Sequence, residues 1–233
     1  MPQRNPRESM PRTLPNESAP LPGGEEPSFK ARTVLRAARD VFLTHGFSAA
    51  TTDMIQREAG VSKSTVYAHY ATKEALFDAV IEDECAALMQ SMRGIKIQPG
   101  KLKENLTALA RAYLDIVLSP RGLSLFRVVI AEAPRFPKLA RTFYLAGPQV
   151  IANMVADCLG AAVAAGEADL SDLGRDAAAR LFTNLVRGES QLQCLTHPDA
   201  IPSAAQIDQW TGEAVTTFMR AYGRDGGRAR TSR

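Results

Sequence analysis

Apolar residues recur every three or four positions along most of the chain, which is the spacing of amphipathic α-helices. The first such stripe begins at Phe29, continues through Val34, Val41 and Phe42, and ends at Gly46, a residue type that commonly stops a helix. No stretch alternates apolar and polar residues over the length of a β-strand. The pattern therefore predicts an all-α fold.

Three further helices follow at close intervals. Thr51, Thr52 and Asp53 offer side-chain oxygens that can cap a second helix, which Gly60 ends. Asp53 and Gln56 have the spacing of a capping box. Ser62 can cap a third helix and Thr72 a fourth. Because only a tight turn separates the second helix from the third, we expect a helix-turn-helix at about residues 51–70, braced by the longer helices on either side.

The later helices predict a larger second domain. We place a helix-turn-helix domain at residues 28–90 and a helical domain at residues 91–222, whose last two helices cover about 176–195 and 204–222. The second domain has no phosphate-binding glycine loop, no H-E-x-x-H pattern and no nucleophile elbow. The sequence therefore predicts no enzyme activity, no cofactor and no metal site.

Composition separates the two ends of the chain from its helical body. Residues 1–27 hold seven of the fourteen prolines and almost no large apolar residue, which predicts a disordered arm. The basic composition of residues 223–233 predicts a flexible tail. Residues 28–76 hold seven basic against four acidic side chains, an excess that suits a polyanionic partner.

The cysteines and the lack of export signals indicate a compartment. No apolar run approaches the roughly 18 to 20 residues of a membrane span, and the N-terminus lacks the apolar core of a signal peptide. Cys85, Cys158 and Cys194 include no C-x-x-C pair, so small buried thiols are favoured over a redox sensor. We therefore expect a soluble cytoplasmic protein.

Two stretches resemble a known family. The run from Thr51-Thr52-Asp53-Met54-Ile55 through Thr65-Val66-Tyr67-Ala68-His69-Tyr70 to Lys73-Glu74-Ala75-Leu76-Phe77 resembles, in residue type and spacing, the DNA-binding domain of the TetR family. Residues 126–137, with Gly147-Pro148 downstream, resemble the C-terminal domain of the AefR-like subgroup. The resemblance implies a homodimeric transcriptional regulator, a repressor released from a palindromic operator on double-stranded DNA by a small-molecule effector.

The third helix is expected to read bases in the major groove. A helix entering this groove, which is roughly 12 Å wide, must present short hydrogen-bonding side chains. Lys63 can donate to guanine, Thr65 can offer a hydroxyl and a methyl group to a base edge, and Ser64 is small enough for close approach. Val61, Val66 and Tyr70 are instead expected to belong to the core.

Phosphate contacts are expected on both sides of this helix. A structural role as packed side chains stays open for Tyr67 and His69, and acidic Asp53 is interpreted as a helix cap. The resemblance implies backbone contacts from Thr52, Tyr67, His69 and Lys73.

By the same resemblance, the second domain binds an effector between its helices and dimerises through its last two long helices. The stripe Leu181, Leu185 and Leu192, with Gly188 allowing close approach, can supply part of a four-helix interface. A small apolar effector fits the Leu-, Val-, Phe- and Met-rich composition. Candidate lining residues are Leu109, Tyr113, Phe126, Ile130, Phe143, Met154 and Phe182.

An alternative interpretation has the same fold but no DNA-binding activity. An all-helical interaction or enzyme scaffold that has lost DNA binding is supported by Asp53, because an acidic side chain beside DNA is unfavourable.

Overall fold

Residues 28–199 and 201–224 are described by a computed structural model. Within them the chain forms ten α-helices and no β-strand, which confirms the predicted all-α fold. The predicted arm (1–27) and residues 225–233 of the predicted tail lie outside the described residues. The helices are α1 (Phe29–Ala49), α2 (Thr52–Ala59), α3 (Lys63–His69), α4 (Lys73–Arg93), α5 (Leu102–Val117), α6 (Pro120–Glu132), α7 (Pro137–Ala146), α8 (Pro148–Ala164), α9 (Arg175–Thr196) and α10 (Ala204–Tyr222).

Local sequence signals set the boundaries of the short helices. Ser62 and Thr72 cap α3 and α4 as predicted, each accepting a hydrogen bond from the backbone N–H three residues later, at 3.2 and 3.0 Å. Gly60 ends α2 in the left-handed conformation, with φ of 64°. The cap of α2 is Thr51, at 3.2 Å, and the prediction that Asp53 caps this helix is wrong. Asp53 lies instead in the first turn, where its negative charge interacts favourably with the helix dipole.

Helix α1 continues beyond the predicted stop at Gly46. Gly46 has φ of 75°, which glycine adopts readily, and it kinks the helix instead of ending it. The kink brings Phe47 into the core, where its ring centroid lies 5.7 Å from that of Phe42 and 4.9 Å from that of Phe77. Burial of this aromatic ring stabilises the kinked conformation of the chain after the glycine.

Two hydrophobic cores share one long helix. The first core joins α1–α4 to the inward faces of α6 and α7, and the second joins α5, α8, α9 and α10. Helix α4 contributes Val80 and Ile81 to the first core and Met89 and Met92 to the second. The domain boundary near residue 90 stays a prediction, and α4 contributes side chains to both cores.

The three cysteines are free and buried. Burial raises the pKa of Cys85 to about 12 and that of Cys158 to about 11, and it also raises the pKa of Cys194. A thiol that stays protonated at neutral pH is a poor nucleophile, which supports the structural interpretation. In the described ranges, no helix has both the length and the apolar character needed to cross a membrane.

Candidate functional site

Helix α3 is held against the first core by one face and leaves the other face open. Val66 is 2% exposed, while Val61 and Tyr70 pack partly buried against the same core, as predicted. The turn between α2 and α3 is closed by a hydrogen bond of 3.1 Å from the Val61 N–H to the Gln56 carbonyl. The position of α3 is therefore fixed by its buried face and by the turn before it.

The open face of α3 carries the hydrogen-bonding side chains predicted to read bases. Lys63 and Ser64 are exposed and Thr65 is half-buried. The hydroxyl of Ser62, the helix cap, lies 2.8 Å from the hydroxyls of both Ser64 and Thr65. The start of α3 thus presents a small cluster of hydroxyls and one ammonium group.

Lys63 forms an ion pair with Asp53 across the two helices. The Lys63 Nζ lies 3.0 Å from the Asp53 carboxylate, and both side chains are 52% exposed. The hydrogen bond with Asp53 raises the pKa of Lys63. Asp53 therefore lies where it competes with any base or phosphate for the Lys63 ammonium, and a DNA contact by Lys63 requires this exposed pair to open or to share its charge.

Two of the predicted phosphate contacts are brought together by the fold. The hydroxyls of Thr52, at the start of α2, and Tyr67, in α3, lie 3.3 Å apart. Tyr67 is 45% exposed, so its ring is not simply a core side chain. His69 is exposed at the end of α3. These positions are compatible with backbone contacts, which stay predictions.

Lys73 has a different environment from the one its predicted role suggests. Its ammonium donates to the carbonyls of Phe47 and Ala50, both at 2.8 Å, and lies 4.4 Å from the centroid of the Phe47 ring. These carbonyls lie at the C-terminal end of α1, in its last turn and at its cap residue, where cations are favoured. The phosphate contact of Lys73 stays a prediction. In this structure its ammonium links the start of α4 to the end of α1.

A narrow cavity lies between α4 and α9 and is bounded by α5, α6, α7 and α8. Its volume is about 50 Å³. A cavity of roughly 150 Å³ binds benzene, so an effector larger than benzene must displace lining side chains as it enters. Tyr113, Phe126 and Phe143, predicted to line an effector pocket, all contact this cavity.

The other four predicted lining residues lie elsewhere. Leu109 and Phe182 are buried in the second core, and Met154 lines a separate depression beside Cys158. Ile130 is 52% exposed and does not line this cavity, so its contact with an effector stays a prediction. The inward face of α6 runs through Leu125 and Val129, and in a helix the next residue points about 100° away.

Two polar residues of the cavity were not predicted from the sequence. Arg187 and Gln191 both line it from α9. Their spacing of four places them on one face of the helix. Polar residues at such spacing are typical of a solvated face, so only the packing of α9 against its neighbours identifies them.

Helix α6 forms one wall of the cavity and is attached at both ends to the helices around α3. At its C-terminal end the Glu132 carboxylate accepts hydrogen bonds from the N–H and hydroxyl of Ser48, at 2.8 and 2.7 Å. At its N-terminal end Arg121 binds the buried carboxylate of Glu84 in α4, which also lies 3.9 Å from the Arg39 guanidinium of α1. Movement of this cavity wall can therefore displace α1 and α4.

An apolar stripe on α9 is exposed to solvent in the single chain. Leu181, Leu185 and Leu192 are 37%, 40% and 56% exposed. Helix α8 adds Val163, which is 44% exposed, whereas α10 contributes no exposed large apolar side chain within the described residues. Exposed apolar patches commonly mark protein interfaces.

Comparisons with known families match both parts of the chain. Residues 34–80 match the model of the bacterial regulatory proteins of the tetR family, and residues 104–224 match that of the AefR-like transcriptional repressor C-terminal domain. Among solved structures, the flavonoid-responsive regulator FrrA is 35% identical with a TM-score of 0.71, and the match covers 86% of this chain and 98% of that protein.

Curated relatives match over shorter stretches. The transcriptional activator FasR of Mycolicibacterium smegmatis is 32% identical over 84 residues, which are 36% of this chain and 38% of FasR. The transcriptional repressor AcnR of Corynebacterium glutamicum is 28% identical over 85 residues, which are 33% of this chain and 45% of AcnR. The chain thus spans less than half the length of these two relatives.

Proposed function

Because the chain belongs to the TetR family of bacterial regulatory proteins, we propose that it is a transcriptional repressor that binds a palindromic operator as a homodimer and is released by a small-molecule effector. The observation that carries this proposal is α3, a short helix fixed by its buried face and open on its hydrogen-bonding face. Lys63, Ser64 and Thr65 read base edges. The protein acts in the cytoplasm and without catalysis.

Backbone contacts position the recognition helix. The paired hydroxyls of Thr52 and Tyr67 and the exposed ring of His69 can reach phosphates on either side of the groove. These contacts set the register on the duplex but carry no sequence information themselves. Affinity therefore depends on both sets of residues, and specificity depends on the start of α3.

A gel shift on duplex DNA from the gene's own promoter region, with excess competitor DNA, tests the main proposal against the scaffold alternative. We expect a discrete complex that resists nonspecific competitor and disappears with a Lys63→Ala, Thr65→Ala double variant. A chain that binds no promoter fragment better than competitor would support the scaffold alternative, for which the Asp53–Lys63 pair is the favouring observation.

Dimerisation is proposed to use the exposed stripe of α9 together with α8. One three-helix unit buries little DNA surface, whereas two units related by a twofold axis read both halves of a palindrome. Gly188 lies within the stripe and has nothing within 4 Å of the place where a Cβ would stand, so a partner helix can approach it. This assignment favours α8 and α9 over the last two helices as the interface.

Induction is proposed to act through the cavity and α6. The effector must bind the DNA-incompetent arrangement more tightly than the competent one, by about 1 to 3 kcal/mol. The aromatic lining and the flavonoid response of FrrA support an aromatic or lipophilic effector. Reciprocity supplies the test: operator DNA must weaken effector binding by the same factor by which effector weakens DNA binding. Equal effector affinity with and without operator would contradict induction.

A further inference from the structure

The cavity is mostly apolar, but three polar side chains meet at it. Arg187 and Gln191 stand one turn apart on α9, and Tyr113 faces them from α5. Gln191 is 6% exposed and Tyr113 is 5% exposed. Hydrogen-bonding groups buried this deeply are usually paired with one another or with a ligand.

Two of these polar groups bind each other, and the third has no partner. Arg187 hydrogen-bonds the Tyr113 side chain but forms no ion pair within the described residues, and there the Gln191 amide has no hydrogen-bond partner. The residues lining the cavity include no aspartate or glutamate. The site therefore has an uncompensated positive charge and spare donors, and it has no carboxylate to receive a cation.

We propose that the effector is an apolar molecule bearing one anionic oxygen group, a carboxylate or a phenolate, which Arg187, Gln191 and Tyr113 hold. This inference rests on the proposed function, because it assigns a ligand class to the same cavity. A planar carboxylate can accept from a guanidinium in a bidentate manner, and the amide and phenol donors can add further bonds. The aromatic rings of Phe126 and Phe143, whose centroids lie 6.2 Å apart, line the same cavity and can contact the apolar body.

An anion and its neutral isostere test the charge requirement. Isothermal titration calorimetry of the full chain would compare naphthoate with the isosteric naphthamide and would add a dinitronaphtholate as the phenolate probe. We expect either anion to bind about ten- to a hundredfold more tightly than the amide. Arg187→Gln should abolish this preference and leave amide binding unchanged, and Arg187→Lys should restore part of it. Arg180→Gln removes the same charge from an exposed position on α9 and should change nothing.

The outcomes separate this inference from the proposed function. Equal affinity for anions and amide, binding of none of the three probes, or equal losses in the Arg187→Gln and Arg180→Gln variants would each overturn the anion assignment. Operator affinity is measured on the same samples with and without each probe. If anions bind in the Arg187-dependent way and operator affinity stays constant, the ligand class stands and induction fails.

Discussion

Replacing Lys73 by methionine distinguishes a structural role from a DNA contact. Methionine keeps an unbranched apolar stem against Phe47 but removes the ammonium that binds two carbonyls of α1. Hydrogen bonds to charged groups contribute about 1.5 to 3 kcal/mol each, and the cation–π contact adds about 0.5 to 1 kcal/mol. Water can reach the released carbonyls of this half-buried site, so we expect a net loss of about 2 to 3 kcal/mol in the free energy of unfolding.

Urea unfolding at one fixed protein concentration measures this loss, because the stability of a dimer depends on its concentration. For an m value of roughly 2 kcal/mol/M, the midpoint should fall by about 1 M. Lys63→Met is the matched control: it breaks an exposed ion pair and should cost less than about 1 kcal/mol.

DNA titrations over a range of salt concentrations supply the opposing readout. If the Lys73 ammonium contacts carbonyls, the slope of log affinity against log salt should stay as in the wild-type protein. An unchanged urea midpoint, together with a slope reduced by roughly two units per dimer, would refute the structural role and restore the predicted phosphate contact.

Four further changes have expected results. Asp53→Asn releases Lys63 and removes a negative charge, so affinity for all duplexes should rise in filter binding; an unchanged affinity would contradict this. Tyr67→Phe should weaken all sequences similarly, whereas a change in the preferred sequence would indicate base reading. Glu132→Ala breaks the bonds to Ser48 and should reduce the effect of effector on operator affinity without changing effector affinity, and full coupling would disprove the role of α6. Leu185→Glu should yield monomers in analytical ultracentrifugation, and an intact dimer would exclude the α9 interface.

The sequence predicts those features that depend on neighbouring residues. A serine or threonine cap bonds a backbone N–H three residues later, and Gly60 supplies a left-handed end, so the helix-turn-helix can be read from its own segment. Asp53 fails as a cap because Thr51, one of two threonines before it, reaches the same helix end. Local patterns list the possible caps, and the backbone geometry chooses among them.

Features that depend on distant residues could not be predicted in this way. The carbonyls that bind Lys73 lie 23 and 26 residues earlier in the chain, beyond a helical turn's reach. Ile130 has the apolar character of a lining residue, but the rotation of α6 turns it outward. Arg187 has the polar character of a surface residue, but α9 turns it towards the cavity. Tertiary packing decides each case.

Selection of binding sites from random duplex DNA by the full chain tests the central claim most directly. We expect enrichment of an inverted repeat bound by two chains, with half-sites separated by about one turn of the double helix. Lys63→Ala should relax the preference at one position of each half-site. A selection that enriches no common sequence at moderate salt would contradict the assignment of this chain as an operator-binding regulator.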